Sequence, residues 1–291
     1  MGHQELPRNP PREAAVISRR RLLGAAAALA PLSSALRAEE SALERVRRSG
    51  RLVVAVYQDM PPFNLNGQGV DVDLAAVLAD SVGVPLSLLP IPAGESVGDD
   101  LRNAVWRGHY LGWGPADVML HVPMDRPLIE ANPQVEVFGA YYRETVMLAW
   151  DSERGPAPEA IEALRGQKIA VAGVSLPGYL LASADSGALR DTLSTQHADG
   201  VAAARTLLAG DVVAAAGLAS ELEAALAGKP RYKIVPLPPI PRAPRNGWVV
   251  GCAVKRGATD LAQVMQRRLI DLNNGPGLRE LFQRHNVVWR G

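Results

Sequence analysis

A repeated change of period limits what this chain can fold into. Short β-branched runs of strand length, each closed by Pro or Gly, alternate with stretches whose apolar residues recur at helical spacing. The first run is RLVVAVY, Arg51 to Tyr57. It stops at QDMPPFN, where consecutive prolines remove the amide donors that a ladder needs. After the turn residues Asn66 to Gly69, Leu74, Val77, Leu78 and Val82 share helical spacing, with Asp71 or Asp73 placed to cap the first turn. PLSLLPI (85–91) is a second strand, the segment 95–108 is a helix ended by Gly108, and DVMLHVP (117–123) is a third strand stopped by Pro123. Strand, helix, strand, helix, strand predicts a parallel sheet with both faces covered.

A second set of units follows. YYRETVMLAW (141–150) reads as one long strand, and PAPEAIEALRGQ (156–167) as a helix opened by proline. KIAVAG (168–173) is a buried strand, 199–211 a helix, VVAAAGLA (212–219) a weakly polar strand entering the helix SELEAALAG, and KIVPLPPI (233–240) a strand that turns into a Pro-rich connection. GWVVGCAVKRG (247–257) is the last strand, before two helices broken at Asn274 to Gly277. With 47% hydrophobic and only 5% aromatic residues, the chain suits a helix-rich α/β fold with one large core or two medium ones.

The amino terminus reads as an export signal. Arg19, Arg20 and Arg21 precede an uncharged, Ala-rich run from Gly24 to Leu36, with small residues around Ala35 and Ala38. This is the Tat pattern, and it predicts cleavage near Ala35 or Ala38 and a periplasmic mature protein. Residues 1–38 hold six basic and two acidic residues, leaving 25 basic and 28 acidic in the remainder, net −3. That balance offers no clustered basic face for nucleic acid. The single Cys252 forms no internal disulfide, and no Cys pair offers a metal clip.

Taken in order, RLVVAVYQDMPPFN, GVDVDLAAVLADSVGV, ADVMLHVPMDR, VFGAYYRETVMLAW, LRGQKIAVAGVS and the closing segment from Gly247 resemble the family 3 periplasmic solute-binding proteins, receptors of polar amino-acid type ABC transporters. The resemblance covers about residues 50–290. It implies a type II, two-lobe α/β fold with two crossing strands as hinge, near Tyr142 to Ala149 and Pro244 to Val249. Lobe one would hold 51–142 and 247–291, and lobe two 143–246. A small polar or anionic ligand would bind between the lobes and pass to a membrane permease, with no cofactor and no metal.

Ligands of open parallel sheets bind beyond the carboxyl ends of the strands, here Gln58 to Phe63, His121 to Arg126 and Gly173 to Ser175. Arg126 lies where the family's carboxylate-binding arginine is found, although its residue type equally suits a solvated loop. His121 falls at a position usually held by a small hydroxyl residue, and Ser175 or the Gly173 amide matches the lobe-two contact. Tyr57, Met60 and Phe63 are candidates for the apolar wall, Phe63 also for the core. Asp125 and Tyr142 complete the expected set. Two departures stand out. Gly217 and Leu218 occupy the place of the acid that pairs with a ligand's ammonium, which argues against an ordinary α-amino acid. The stretch GHYLGWGPAD is longer than the usual turn, suiting a cleft cover or a docking surface.

The missing acid and DVMLHVP also resemble the branch of the family associated with quinoprotein alcohol dehydrogenases, which implies an accessory role beside such an enzyme. A third reading is enzymatic: the same fold supports periplasmic dehydratases of prephenate-like acids, and Asp125, Arg126 and His121 have the residue types for acid–base work. His109, Asp117, His121 and Asp125 lie within 17 residues, but their spacing is not that of a zinc site, and His121 reads better as a cleft hydrogen-bonding group or a satisfied buried histidine.

Overall fold

The computed structural model describes residues 40–241 and 243–291. The export signal assigned to residues 1–38 lies outside them. Among the described residues, no helix is long and apolar enough to cross a membrane.

The first sheet is built from β1 (Leu52–Tyr57), β2 (Leu86–Ile91), β3 (Val118–Pro123), β4 (Val135–Glu144) and β10 (Trp248–Lys255), in the order β2-β1-β3-β10-β4. β1 runs parallel to β2 and β3, and β10 is antiparallel to β3 and β4. Both faces are covered, as continuous Val-rich strands require. On one face α2 (Val70–Val82), α8 (Thr259–Asn274) and α9 (Gly277–Arg284) bring Leu74, Leu78, Met265, Leu269 and Phe282 against Val54, Val56, Leu120 and Val250. On the other, α3 (Val97–Leu101) and the π-helical turn that follows it to Trp106 set Leu101, Ala104 and Val105 on Ala55, Met119 and Val122. Two shorter helices complete this half, α1 (Ala42–Ser49), closed by a Ser41–Glu44 capping box, and α4 (Arg126–Ala131).

The second sheet follows the order β7-β6-β8-β5-β9, from β5 (Val146–Asp151), β6 (Ile169–Val171), β7 (Leu193–Ser194), β8 (Ala214–Leu218) and β9 (Tyr232–Pro236). β8 reads AAAGL, and its alternation sends Ala214 and Ala216 toward Leu148, Leu180 and Leu181, and Ala215 toward Ala203, Leu207 and Leu222. Small residues in this strand let α5 (Leu176–Ser183), α6 (Gly200–Ala209) and α7 (Ala219–Leu226) pack close to the sheet.

Three sequence expectations are corrected. The run 141–150 is not one strand: it breaks at Thr145 between β4, in the first sheet, and β5, in the second. The helix expected over 156–167 shrinks to a 3₁₀ turn at Ile161–Leu164, since prolines precede it and Gly166, at φ 72°, follows. Neither Asp71 nor Asp73 caps α2, whose N-cap is Gly69. Asp71 turns inward instead, and Asp73 takes Arg284 and His285 at 3.1 and 3.0 Å.

Candidate functional site

In the second sheet, three helices start around one point. β6 leads to Ser175, which caps α5 by accepting from the Gly178 amide; Asp199 caps α6 through the Ala202 amide; and β8 runs directly into α7. Between them lies a cavity of about 200 Å³, lined by Ser175, Leu176, Asp199, Gly200, Gly217, Leu218, Glu221 and, from the first strand residue of β10, Trp248.

Glu221 is the chemically distinctive group here. Standing at the third position of α7, it folds back so that its carboxylate accepts from the Leu218 amide at 2.8 Å and from the Gly200 amide. A Cβ at Gly200 would displace this carboxylate, and the Cβ of any residue at Gly217 would press on Gly200 and Glu221. Burial, followed by the neighbouring Glu144 and Asp199 charges, pushes the Glu221 carboxyl up to about 7, against the pull of the two amides. An acid thus stands one helical turn after Gly217 and Leu218. The sequence signal was a Glu three residues after the end of a strand, in a helix's first turn. Trp248 had no such signal, because only the tertiary fold carries β10 to this cavity.

Beside Glu221 the chain holds a second buried carboxylate. Glu144, at the end of β4, is fully buried, and the Ser220 hydroxyl and the Ser220 and Thr145 amides donate to it. Desolvation raises its pKa. The first turn of α7 is therefore fastened to the point where the chain leaves the first sheet.

The residues singled out in the sequence take different places. Ser175 lines the cavity, its hydroxyl donating to the Ala172 carbonyl. The Gly173 amide is committed to the Thr195 carbonyl at 3.1 Å. Tyr57, at the carboxyl end of β1, donates to Asp100 at 2.8 Å, and burial raises the Asp100 carboxyl, which also accepts from the Gly94 amide. Met60 is half-buried in a turn that pairs with Asn64. Phe63 and Tyr142 lie in the core rather than on an open wall, Phe63 edge-on to His121 at 4.2 Å and Tyr142 stacked on Phe282 at 4.7 Å.

His121 is buried as well. It adopts φ 60° at the point where the β3–β10 register shifts, and its Nδ1 lies 3.2 Å from Asp71. The Tyr141 hydroxyl donates to Asp71 at 2.8 Å and accepts from the His121 amide at 3.0 Å. Asp125 and Arg126 do not join His121: Asp125 caps α4, and the Arg126 side chain is 88% exposed and paired with Glu130 at 2.7 Å. Among the described residues, no group of three His, Cys, Asp or Glu is arranged to hold a metal; His109 stacks on Trp113 instead. The loop 108–116 enters β3 at its amino end, where Asp117 exchanges hydrogen bonds with Val53. It therefore lies at the opposite edge of the sheet from Tyr57 and Pro123, and does not cover the carboxyl ends of the strands.

No protein-family model matches the chain. A cyclohexadienyl dehydratase from Pseudomonas aeruginosa is 44% identical over 77 residues, 24% of this chain and 29% of the relative's length. The match thus spans less than a third of that curated relative. Among solved structures, an ancestral cationic amino acid solute binding protein superposes with TM-score 0.66 at 17% identity, covering 84% of this chain and 100% of the other. An amino acid ABC transporter substrate-binding protein from Streptococcus pneumoniae bound to L-arginine gives 0.59 at 18% identity, covering 86% and 100%. A mutant arginine-binding protein from T. maritima gives 0.56 at 20%, covering 84% and 98%. The two five-stranded sheets are those of the two-lobe, type II periplasmic binding protein fold.

Proposed function

We propose that this protein is an extracytoplasmic solute receptor that holds a small ligand at the cavity of Ser175, Asp199, Glu221 and Trp248 and passes it to the permease of an ABC transporter. The observation that carries this reading is Glu221: a carboxylate on a shaped cavity at the carboxyl edge of a sheet, with an indole beside it. The cavity lining contains two carboxylates and neither Lys nor Arg. The ligand therefore presents an ammonium or another strong donor to this wall, which shifts the expectation away from a purely anionic solute. The cationic amino acid solute binding protein and the arginine-bound substrate-binding protein among the structural neighbours support the same direction.

A second reading has its own observation. A buried carboxyl with pKa about 7 is poised to act as a general acid, and the dehydratase match gives that chemistry a precedent on this fold. In this reading Glu221 would give its proton to the hydroxyl of a cyclohexadienyl acid, which departs as water while the ring carboxylate leaves as carbon dioxide and its bonding pair completes the aromatic ring.

The two readings differ in sign with pH. An ammonium ligand binds the ionised carboxylate, so affinity measured by calorimetry rises between pH 6 and pH 8 and is largely lost in Glu221→Gln. A general acid works protonated, so turnover falls over the same range. A broad panel of amino acids, amines and carboxylic acids that leaves the melting temperature unmoved at both pH values would sink the receptor reading.

A further inference from the structure

The second sheet carries another cavity, three times larger, away from Glu221. It measures about 620 Å³, within the usual range for small-molecule sites. Leu180 and Ile240, both buried, form its floor, and Val146 and Leu237 line its sides. Six prolines stand in its lining, and their fixed φ angles keep the wall from collapsing into the space. The charged lining groups are Arg245 and Glu159, both exposed at the mouth.

The segment that supplies Arg245 is basic. Segment 229–245 contains five Lys or Arg and no acid. Arg231 is spent on Asp151 and Glu153, whereas Arg245 has no ion pair among the described residues. An apolar pocket with one uncommitted guanidinium fork at its lip matches one ligand chemistry well.

We propose that this cavity binds an apolar carboxylate, its hydrocarbon body on Leu180 and Ile240 and its carboxylate on Arg245. The site does not depend on the proposed receptor function. Its wall takes Val146 from just after the β4–β5 step and Pro244 and Arg245 from just before β10, so its occupant touches both passages between the sheets.

The test uses octanoate, with octanamide as its uncharged counterpart, titrated into the whole protein by calorimetry. Octanoate is expected to bind saturably, about fivefold to tenfold more tightly than octanamide. Arg245→Gln should erase that preference, and Glu159→Gln, which removes a like charge from the lip, should tighten octanoate. Ala243→Trp, filling the mouth from a half-buried position, should block both ligands. The proposal is overturned if octanoate does not bind, if octanamide binds equally well, or if Arg245→Gln and Ala243→Trp leave binding intact. Loss of octanoate binding in Glu221→Gln but not in Arg245→Gln would place the ligand in the smaller cavity and equally overturn it.

Discussion

Glu221 couples the site to stability through its proton. Its carboxyl sits at about 7 in the fold against an ordinary 4.5, so between those values the folded chain holds a proton that the unfolded chain has released. The stabilisation is complete below pH 4.5 and is lost as pH rises through 7, a change on the order of 3 kcal/mol. Glu221→Gln removes that dependence. Denaturation from pH 5 to 8 is expected to show the variant gaining on the parent as pH rises, and parallel curves would contradict the assignment. Tyr141 makes a second residue-scale case, because its hydroxyl serves both Asp71 and the His121 amide. Tyr141→Phe strands the His121 amide and one Asp71 oxygen and should cost about 1–3 kcal/mol in urea unfolding. The sequence carried a signal for Glu221 in the first turn of its helix and allowed a buried His121, but it named neither partner of Tyr141. The carboxyl end of β3 suggested a place for His121 at the cleft. A backbone at φ 60° and a partner 50 residues away placed it in the core.

At the scale of elements, the strands and helices with strong local punctuation were legible. β1 ends before its prolines, α8 and α9 part at the expected break, and AAAGL runs from strand into helix without a loop. Elements that depended on a longer-range decision were not. Thr145 looks like the middle of a strand until each half pairs with a different sheet. The carboxyl-terminal tail gave no signal at all, yet it ties α7 to β4. The Val288 amide donates to Glu223, Arg290 pairs with Glu223, the Arg143 amide donates to the Arg290 carbonyl, and the Trp289 indole donates to the Tyr141 carbonyl. Deleting residues 288–291 should destabilise the protein by about 2–4 kcal/mol, read as a lower urea midpoint. Because this tail and Glu144 both hold α7, the deletion should also move the Glu221 titration followed by carbon NMR.

The whole molecule depends on how closely its two sheet-to-sheet passages approach. Gly247, at φ 63° just before β10, lies so near the Glu144 carbonyl and Thr145 that any Cβ would collide with them. Gly247→Ala is expected to lose at least about 2 kcal/mol and to lower the melting temperature by several degrees. A neutral result would mean that the passages do not meet there. The sequence by itself determined the alternation of strand and helix, the points where strands stop, and hence the α/β class, because Pro, Gly and apolar period act within a few residues. Only the tertiary structure decided which polar groups meet. Asp71 joins Tyr141 across 70 positions, and Glu144 joins Ser220 across 76. Buried polar groups are satisfied by whichever partner the packing brings near, so Ser175 and Glu221 carry local signals while their meeting with Asp199 and a distant tryptophan at one cavity is written in no single stretch of the chain.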